Sequence, residues 1–215
     1  MQYPLILNSF SADLKLYIPD PIFIKPTYEG LRLNNPATLF PFWAKVWPSA
    51  IALSSFLHQN LGLVNSKSVL EIGAGIGLPS FSIAKHAAHL TITDYAEDAI
   101  ELMQKNIAHT RFKNIKAIFA DWNLFPSSIV ADVVLLSDTN YAPSEFESLL
   151  KLIQDFIHKG ATIIIASPER ITASPFIEQL KMNITQQDLI EIIYNDEKAF
   201  IGLFVLKQNR KQESH

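Results

Sequence analysis

Cysteine is absent from the 215 residues. That one absence excludes a disulfide framework, thiolate metal sites and cysteine nucleophiles together. No stretch approaches the ~18 uninterrupted apolar residues that a membrane-spanning helix needs. The first ten residues also lack the basic-then-apolar order of an export signal, so a cytoplasmic location is expected. Charge of one sign is lacking too. The net charge is -3, and only Lys207, Arg210 and Lys211 gather basic charge. The phosphate attraction that a nucleic-acid partner requires is therefore weak, and no such partner is expected. His86 and His89 have no carboxylates at ligand spacing and read as solvated surface, so no metal is expected. No Ser-His-Asp or paired-carboxylate arrangement is legible.

The length suits one α/β domain with modest extensions. We place an N-terminal extension and lid at residues 1–67, a core at 68–206 and a flexible tail at 207–215. A monomer is expected. From Ser68 onward short β-rich runs alternate with helical patterns. Residues 69–72 read as a strand and 78–88 as a helix; 90–93 as a strand and 96–108 as a helix, with Ile100, Met103 and Ile107 on one face. Residues 115–119, 131–136 and 161–166 read as further strands, with a helix over 145–158 before the last of these. Strands this apolar need both faces covered, which crossover helices provide. The pattern is that of a doubly wound, Rossmann-like α/β sheet. Residues 189–194 and 199–206 are strand-like runs separated by four residues, too few for a parallel crossover, so they must pair as a hairpin. Seven strands result, the last of them antiparallel. Upstream, 14–24 reads as strand-like and 49–60 as a helix with Pro48 at its first position.

Three of the seven glycines fall within Glu71-Ile72-Gly73-Ala74-Gly75-Ile76-Gly77, where a strand runs into a helix. Glycine permits positive φ and close approach of a ligand to backbone, and the following helix offers free N–H groups. Dinucleotide folds use G-x-G-x-x-G, and the position of the third glycine is here Leu78. Asp94 ends the next strand, where a carboxylate can accept both ribose hydroxyls, and it is read as the ribose ligand; the alternative is a cap for the helix that follows. Asp121-Trp122 follows the third strand, in a position that also fits a turn with a core anchor.

The G-x-G-x-G spacing with an acid two residues upstream resembles the first motif of seven-strand, class I methyltransferases. The resemblance narrows with Phe42-Trp43-Ala44-Lys45-Val46-Trp47-Pro48-Ser49-Ala50 before that motif and Ser137-Asp138-Thr139-Asn140-Tyr141 after the fourth strand. Together they are similar to the family-16 protein lysine methyltransferases, which carry a tryptophan segment and a D-x-x-Y motif in those places. Ser167-Pro168-Glu169-Arg170, followed by Pro175-Phe176, is similar to the branch acting on the electron-transfer flavoprotein β-subunit. The similarity runs from about residue 42 to 206. It implies S-adenosylmethionine as cofactor and a protein lysine as acceptor, with a small-molecule amine or a silent cofactor-binding module as alternatives. It also implies roles for residues. Glu71 would help hold the amino-acid end of the cofactor, although it could instead accept neighbouring backbone N–H groups. Asp94 would hold the ribose, Asp121 the adenine amino group, and Trp122 would stack on the ring. Gly73, Ala74, Gly75, Gly77, Tyr95, Ser137 and Trp47 complete the expected cofactor contacts. Asp138 and Tyr141 are the expected catalytic pair, unless they only start a turn and pack beneath a helix. Pro41 and Pro48 break any regular helix through both tryptophans, so a loop lid is expected there, with Trp43 in it or in the core.

Overall fold

A computed structural model describes residues 2–170 and 173–209. Part of the expected tail, residues 210–215, lies outside the described residues. An N-terminal hairpin pairs β1 (Leu5–Ser9) with β2 (Lys15–Pro19), antiparallel. Helices α1 (Pro21–Asn34) and α2 (Pro48–Gln59) follow. Then come β3 (Ser68–Ile72), α3 (Leu78–Ser82), β4 (His89–Asp94), α4 (Glu97–Thr110), β5 (Ile115–Phe119) and β6 (Val133–Ser137). The chain continues with α5 (Phe146–His158), β7 (Thr162–Pro168), α6 (Ser174–Leu180), β8 (Ile184–Tyr194) and β9 (Glu197–Leu206). The large sheet has seven strands in the order β5-β4-β3-β6-β7-β9-β8. Strands β3 to β7 are parallel and β9 runs antiparallel to β7. The expected doubly wound sheet with a reversed last strand is thus the observed one. Its two final strands form the expected hairpin, closed by Asn195 and Asp196, both at positive φ as a two-residue turn demands.

Alternation along the central strands creates three layers. On β6, Val133 and Leu135 face α2, α3 and α4, while Val134 and Leu136 face α5 and α6. All four are completely buried, and each such side chain contributes roughly 1.5–3 kcal/mol. The N-terminal hairpin joins the first of these layers through Leu14, Leu16 and Ile18. Asn106 of α4, itself fully buried, fixes it there. Its Oδ1 accepts from the Tyr17 N–H at 2.7 Å and its Nδ2 donates to the Tyr17 carbonyl at 2.9 Å. Asn106→Ala would leave both backbone groups unpaired, and we expect a loss of about 1–3 kcal/mol in a urea unfolding series. An unchanged midpoint would show that the clamp contributes nothing.

Several elements differ from the sequence expectation: β1 and α6 lie where none was expected, and β8 begins at Ile184 rather than 189. The run 14–24 is not one strand: it stops at Pro19, and Asp20 caps α1 by accepting the Ile22 N–H at 3.2 Å, with Pro21 at the first helical position. The helix expected over 78–88 ends at Ser82. Beyond it, the bond that would close the last turn is not made: the Ala88 N–H donates to the Lys67 carbonyl at 2.9 Å and not to that of Ala84. The Asn114 side chain donates to Ala84 and Ala87, each at 2.9 Å, and the Ser66 N–H donates to His86 at 2.9 Å. Among the described residues no helix is long and apolar enough to cross a membrane.

Candidate active site

In this strand order the chain reverses direction across the sheet between β3 and β6. Ligand crevices of open α/β sheets form at the carboxyl ends of the strands flanking such a reversal. A cleft opens there, lined by Gly73, Gly75, Asp94, Ser137, Asp138 and Tyr141 among others. Its cavity volume is about 80 Å³.

The glycine loop is built as its composition predicts. Gly73, Gly75 and Gly77 have φ of 63°, 54° and 78°, a region that costs other residues strain. A Cβ on Gly75 would lie 3.1 Å from the Trp43 carbonyl oxygen, so the loop also needs the space. Gly77 has a different task from the other two. It does not line the cleft, and a Cβ there would press on the Phe81 ring at 3.2 Å, so it serves helix–sheet packing. The expected row of free helical N–H groups is not present. Pro79 has none, and the Ser80 N–H donates to Glu71 Oε2 at 3.0 Å.

Glu71 is completely buried beneath the loop and does not line the cleft. The Ser80 hydroxyl also donates to its Oε2, at 2.5 Å, while Oε1 has no hydrogen-bond partner. Of its two expected roles, the bond to a neighbouring backbone N–H is the one visible here. Burial pushes its carboxyl up to about 7, against the opposing Ser80 bonds. The native state then keeps a proton that the unfolded chain has already released. Stability is therefore highest below the ordinary carboxyl value and falls as pH rises towards 7, by an amount on the order of 3 kcal/mol. Glu71→Gln, which retains an acceptor for Ser80, is expected to flatten this fall in melting temperature between pH 5 and 8. Parallel curves for the two proteins would refute it.

Asp94 occupies the end of β4 and is nearly buried. Its Oδ2 accepts the Gly75 N–H at 2.8 Å and its Oδ1 the Ala96 N–H at 3.0 Å. It thus ties the glycine loop to the start of α4 and still faces the cleft. Burial raises its pKa, opposed by the N–H groups of Ala96, Gly75 and Tyr95. Ala74 donates its N–H to the Thr93 carbonyl at 2.9 Å, fixing the loop to β4 from the other side. Trp122 lines the cleft, with its Nε1 donating to Glu145 at 2.9 Å and its ring 6.5 Å from that of Tyr95, another lining residue. Asp121 lies one groove further out, where its Oδ1 accepts from the backbone and side chain of Asn123.

Asp138 and Tyr141 both reach the cleft from the end of β6. Asp138 has φ of 55° and donates its N–H to Ala166 at 2.9 Å. Its carboxylate is not bare: the Arg170 guanidinium from the end of β7 pairs with it. Beside that pair, Asn140 and Ser167 exchange side-chain hydrogen bonds at 3.0 and 3.2 Å, joining the same two strand ends. The Tyr141 hydroxyl shares a hydrogen bond with Tyr95, and burial pushes its pKa up to about 12. Its ring lies 5.3 Å from that of Phe42. Residues 42–44 form a short 3-10 turn and Trp47 caps α2. Trp47 lines the cleft, and the Lys45 ammonium sits 4.6 Å over its ring. Trp43 does both things expected of it, lining the cleft and packing against the core, with Tyr3 edge-on at 5.6 Å. Phe42, Lys45 and Thr139 also line the cleft but were not singled out from sequence. All three lie inside the two motifs quoted above, which was their only signal.

Residues 31–183 match the family model described as lysine methyltransferase. The chain belongs to the lysine methyltransferase family. It is accordingly a class I, S-adenosylmethionine-dependent methyltransferase. This methyltransferase is 35% identical over 147 residues to protein-lysine methyltransferase METTL21E of Bos taurus, covering 63% of this chain and 49% of that one. It is 26% identical over 135 residues to histone-arginine methyltransferase METTL23 of Homo sapiens, covering 60% and 71%. Across eight of the curated relatives it matches, it spans 42% to 71% of their lengths, about half for most. Its fold is similar to that of N-methyltransferase NodS of Bradyrhizobium japonicum WM9 in complex with S-adenosyl-L-homocysteine. The TM-score is 0.61 at 17% identity, covering 84% of this chain and 98% of that one.

Proposed function

We propose that this protein methylates a side-chain nitrogen of another protein, with the lysine amine as its acceptor. The observation that carries the reading is the meeting of Asp138 and Tyr141 with the glycine loop and Asp94 around one cleft. The relatives support the class of acceptor: their names specify lysine, arginine and histidine side chains of proteins. Lysine follows from the family's own description.

Gly73, Gly75, Asp94 and Trp122 would hold the cofactor. When bound, S-adenosylmethionine supplies an electrophilic methyl group on a sulfonium. Transfer creates no new charge, so orientation of the acceptor and tolerance of a cation matter more than a strong base. A lysine must first lose a proton, which at pH 7 costs about 4.6 kcal/mol from its reference value. A bare carboxylate would raise that cost by stabilising the ammonium. Arg170 offsets the Asp138 charge, leaving an oxygen that can hold the amine N–H without trapping the protonated form. Tyr141 keeps its proton at neutral pH, and its ring and that of Trp47 provide faces that tolerate a methylated ammonium.

The test is transfer of labelled methyl groups from S-adenosylmethionine into a whole-cell extract, separated into protein and small-molecule fractions. Label is expected in protein, and acid hydrolysis is expected to yield methyl-lysine. Label confined to small molecules would overturn the reading, and methylarginine or methylhistidine would replace lysine as the acceptor.

A further inference from the structure

Near its turn the β8–β9 hairpin has one covered face and one open face. Residues directly opposite each other in an antiparallel pair share a face. Ile190 with Ile201 and Ile192 with Ala199 therefore point one way, and all four pack into the core layer that contains α2. Leu189 with Gly202, Glu191 with Phe200 and Ile193 with Lys198 point the other way. On that side Leu189, Ile193 and Phe200 are 57%, 72% and 42% exposed. Phe200 is diagonal to both of the others in the ladder, close enough for an aromatic ring to reach, so the three form one patch and not scattered surface residues. The patch continues into a groove of about 750 Å³ between the hairpin and α6, lined by Leu189, Gly202, Phe204, Ile177, Glu169 and Arg170 among others. The Phe204 ring forms an apolar floor by lying across Gly202, where a Cβ would come within 2.8 Å of it. One end of the groove meets the cleft. The Glu169 N–H donates to the Phe200 carbonyl at 2.9 Å, and the next residue, Arg170, pairs with Asp138. The remaining charges are matched, Glu178 with Lys181 and Glu191 with Lys198. Glu169 is exposed and among the described residues meets no lysine or arginine.

We infer that this face docks an extended segment of the acceptor polypeptide, with apolar side chains against Leu189, Phe200 and Ile193 and a cationic side chain at Glu169. The inference rests on the protein-acceptor reading above. Continuity with the cleft singles out the acceptor from other partners. The cofactor reading fills the crevice over β3, β4 and β5, so the β7 side is the open approach to Asp138. Arg170 belongs both to the groove and to the Asp138 pair, and a chain lying on the hairpin face reaches the catalytic pair without crossing the cofactor. Charge sets the rest of the ligand's chemistry. A wholly apolar segment would take Glu169 out of water with no counter-charge, whereas a cation beside the apolar run compensates it.

The experiment uses three fluorescein-labelled peptides with a single central lysine. The first has leucines and an arginine in its flanks, the second has serines for the leucines, and the third has glutamine for the arginine. Anisotropy titrations with the full chain and S-adenosylhomocysteine are expected to show the first binding at least about fivefold tighter than the second. It should bind about twofold tighter than the third, with that gap closing as salt rises. Leu189→Thr combined with Ile193→Thr, both at exposed strand positions that threonine suits, should bring the first two peptides within about twofold. Glu169→Gln should equalise the first and third, and it tests the face independently of the hairpin variant. Cofactor affinity and melting temperature are expected to stay at wild-type values in both variants. Equal binding of the peptides by the wild type, or a preference that survives the matching substitution, overturns the inference. A dimer in sedimentation velocity that the double variant dissolves would assign the face to a second copy and overturn it too. The extract experiment keeps the two failures apart: label in protein with indifferent peptides defeats only the docking face, whereas label in small molecules alone defeats both.

Discussion

Asp138→Asn is expected to lower the single-turnover rate of methyl transfer about a hundredfold while leaving cofactor affinity within about twofold, as calorimetric titration would show. A hydrogen bond from a charged group contributes about 1.5–3 kcal/mol, and a loss near the upper end corresponds to two orders of magnitude in rate. Asparagine is the informative replacement because position 138 has positive φ, which asparagine tolerates and alanine does not. It also leaves Arg170 facing a neutral partner, so an uncompensated cation stands beside the methylated product. Tyr141→Phe keeps the ring and loses the hydroxyl that bonds Tyr95, and a smaller fall of about tenfold is expected. Wild-type rates in either variant would remove that residue from the catalytic pair.

The second large effect belongs to Asp94. Asp94→Ala takes away the acceptor for the Gly75 and Ala96 N–H groups, so the loop loses its tie to α4 together with the carboxylate facing the cleft. We expect cofactor affinity to drop about a hundredfold, the sum of one charged contact and the loosened loop. The wild-type protein should melt higher with excess S-adenosylhomocysteine, and the variant should show little of that gain. Asp94→Asn, which restores one oxygen, should lie between. Equal affinity in wild type and Asp94→Ala would mean that the carboxylate only caps the helix.

Much of this architecture is carried by local pattern. The apolar runs of β3, β4 and β6, the helical stripe of α4 and the short separation of β8 from β9 each follow from side-chain periodicity and chain length. The glycine loop is legible for the same reason, since positive φ at three nearby positions admits little else. Local pattern misled where a neighbour in space decided the outcome. Residues 78–88 carry a helical stripe, but Asn114 takes the Ala84 carbonyl and Lys67 the Ala88 N–H that would have closed its last turn. In α1, the turn-like Asp20-Pro21 is a helix start, and the strand before it is held by Asn106, 89 residues along the chain from Tyr17.

Composition and motif spacing alone determined the fold class, the cofactor loop and the stretch that would face the acceptor. Which of those residues act directly was decided only in three dimensions. The register that sets Ser137 beside Ala166 brings Arg170 to Asp138, and burial beneath the loop turns Glu71 towards Ser80 and away from the cleft. The physical reason is that backbone preference and hydrophobic alternation act between near neighbours in the chain. Charge compensation, by contrast, depends on strand order and on which groups lose contact with water.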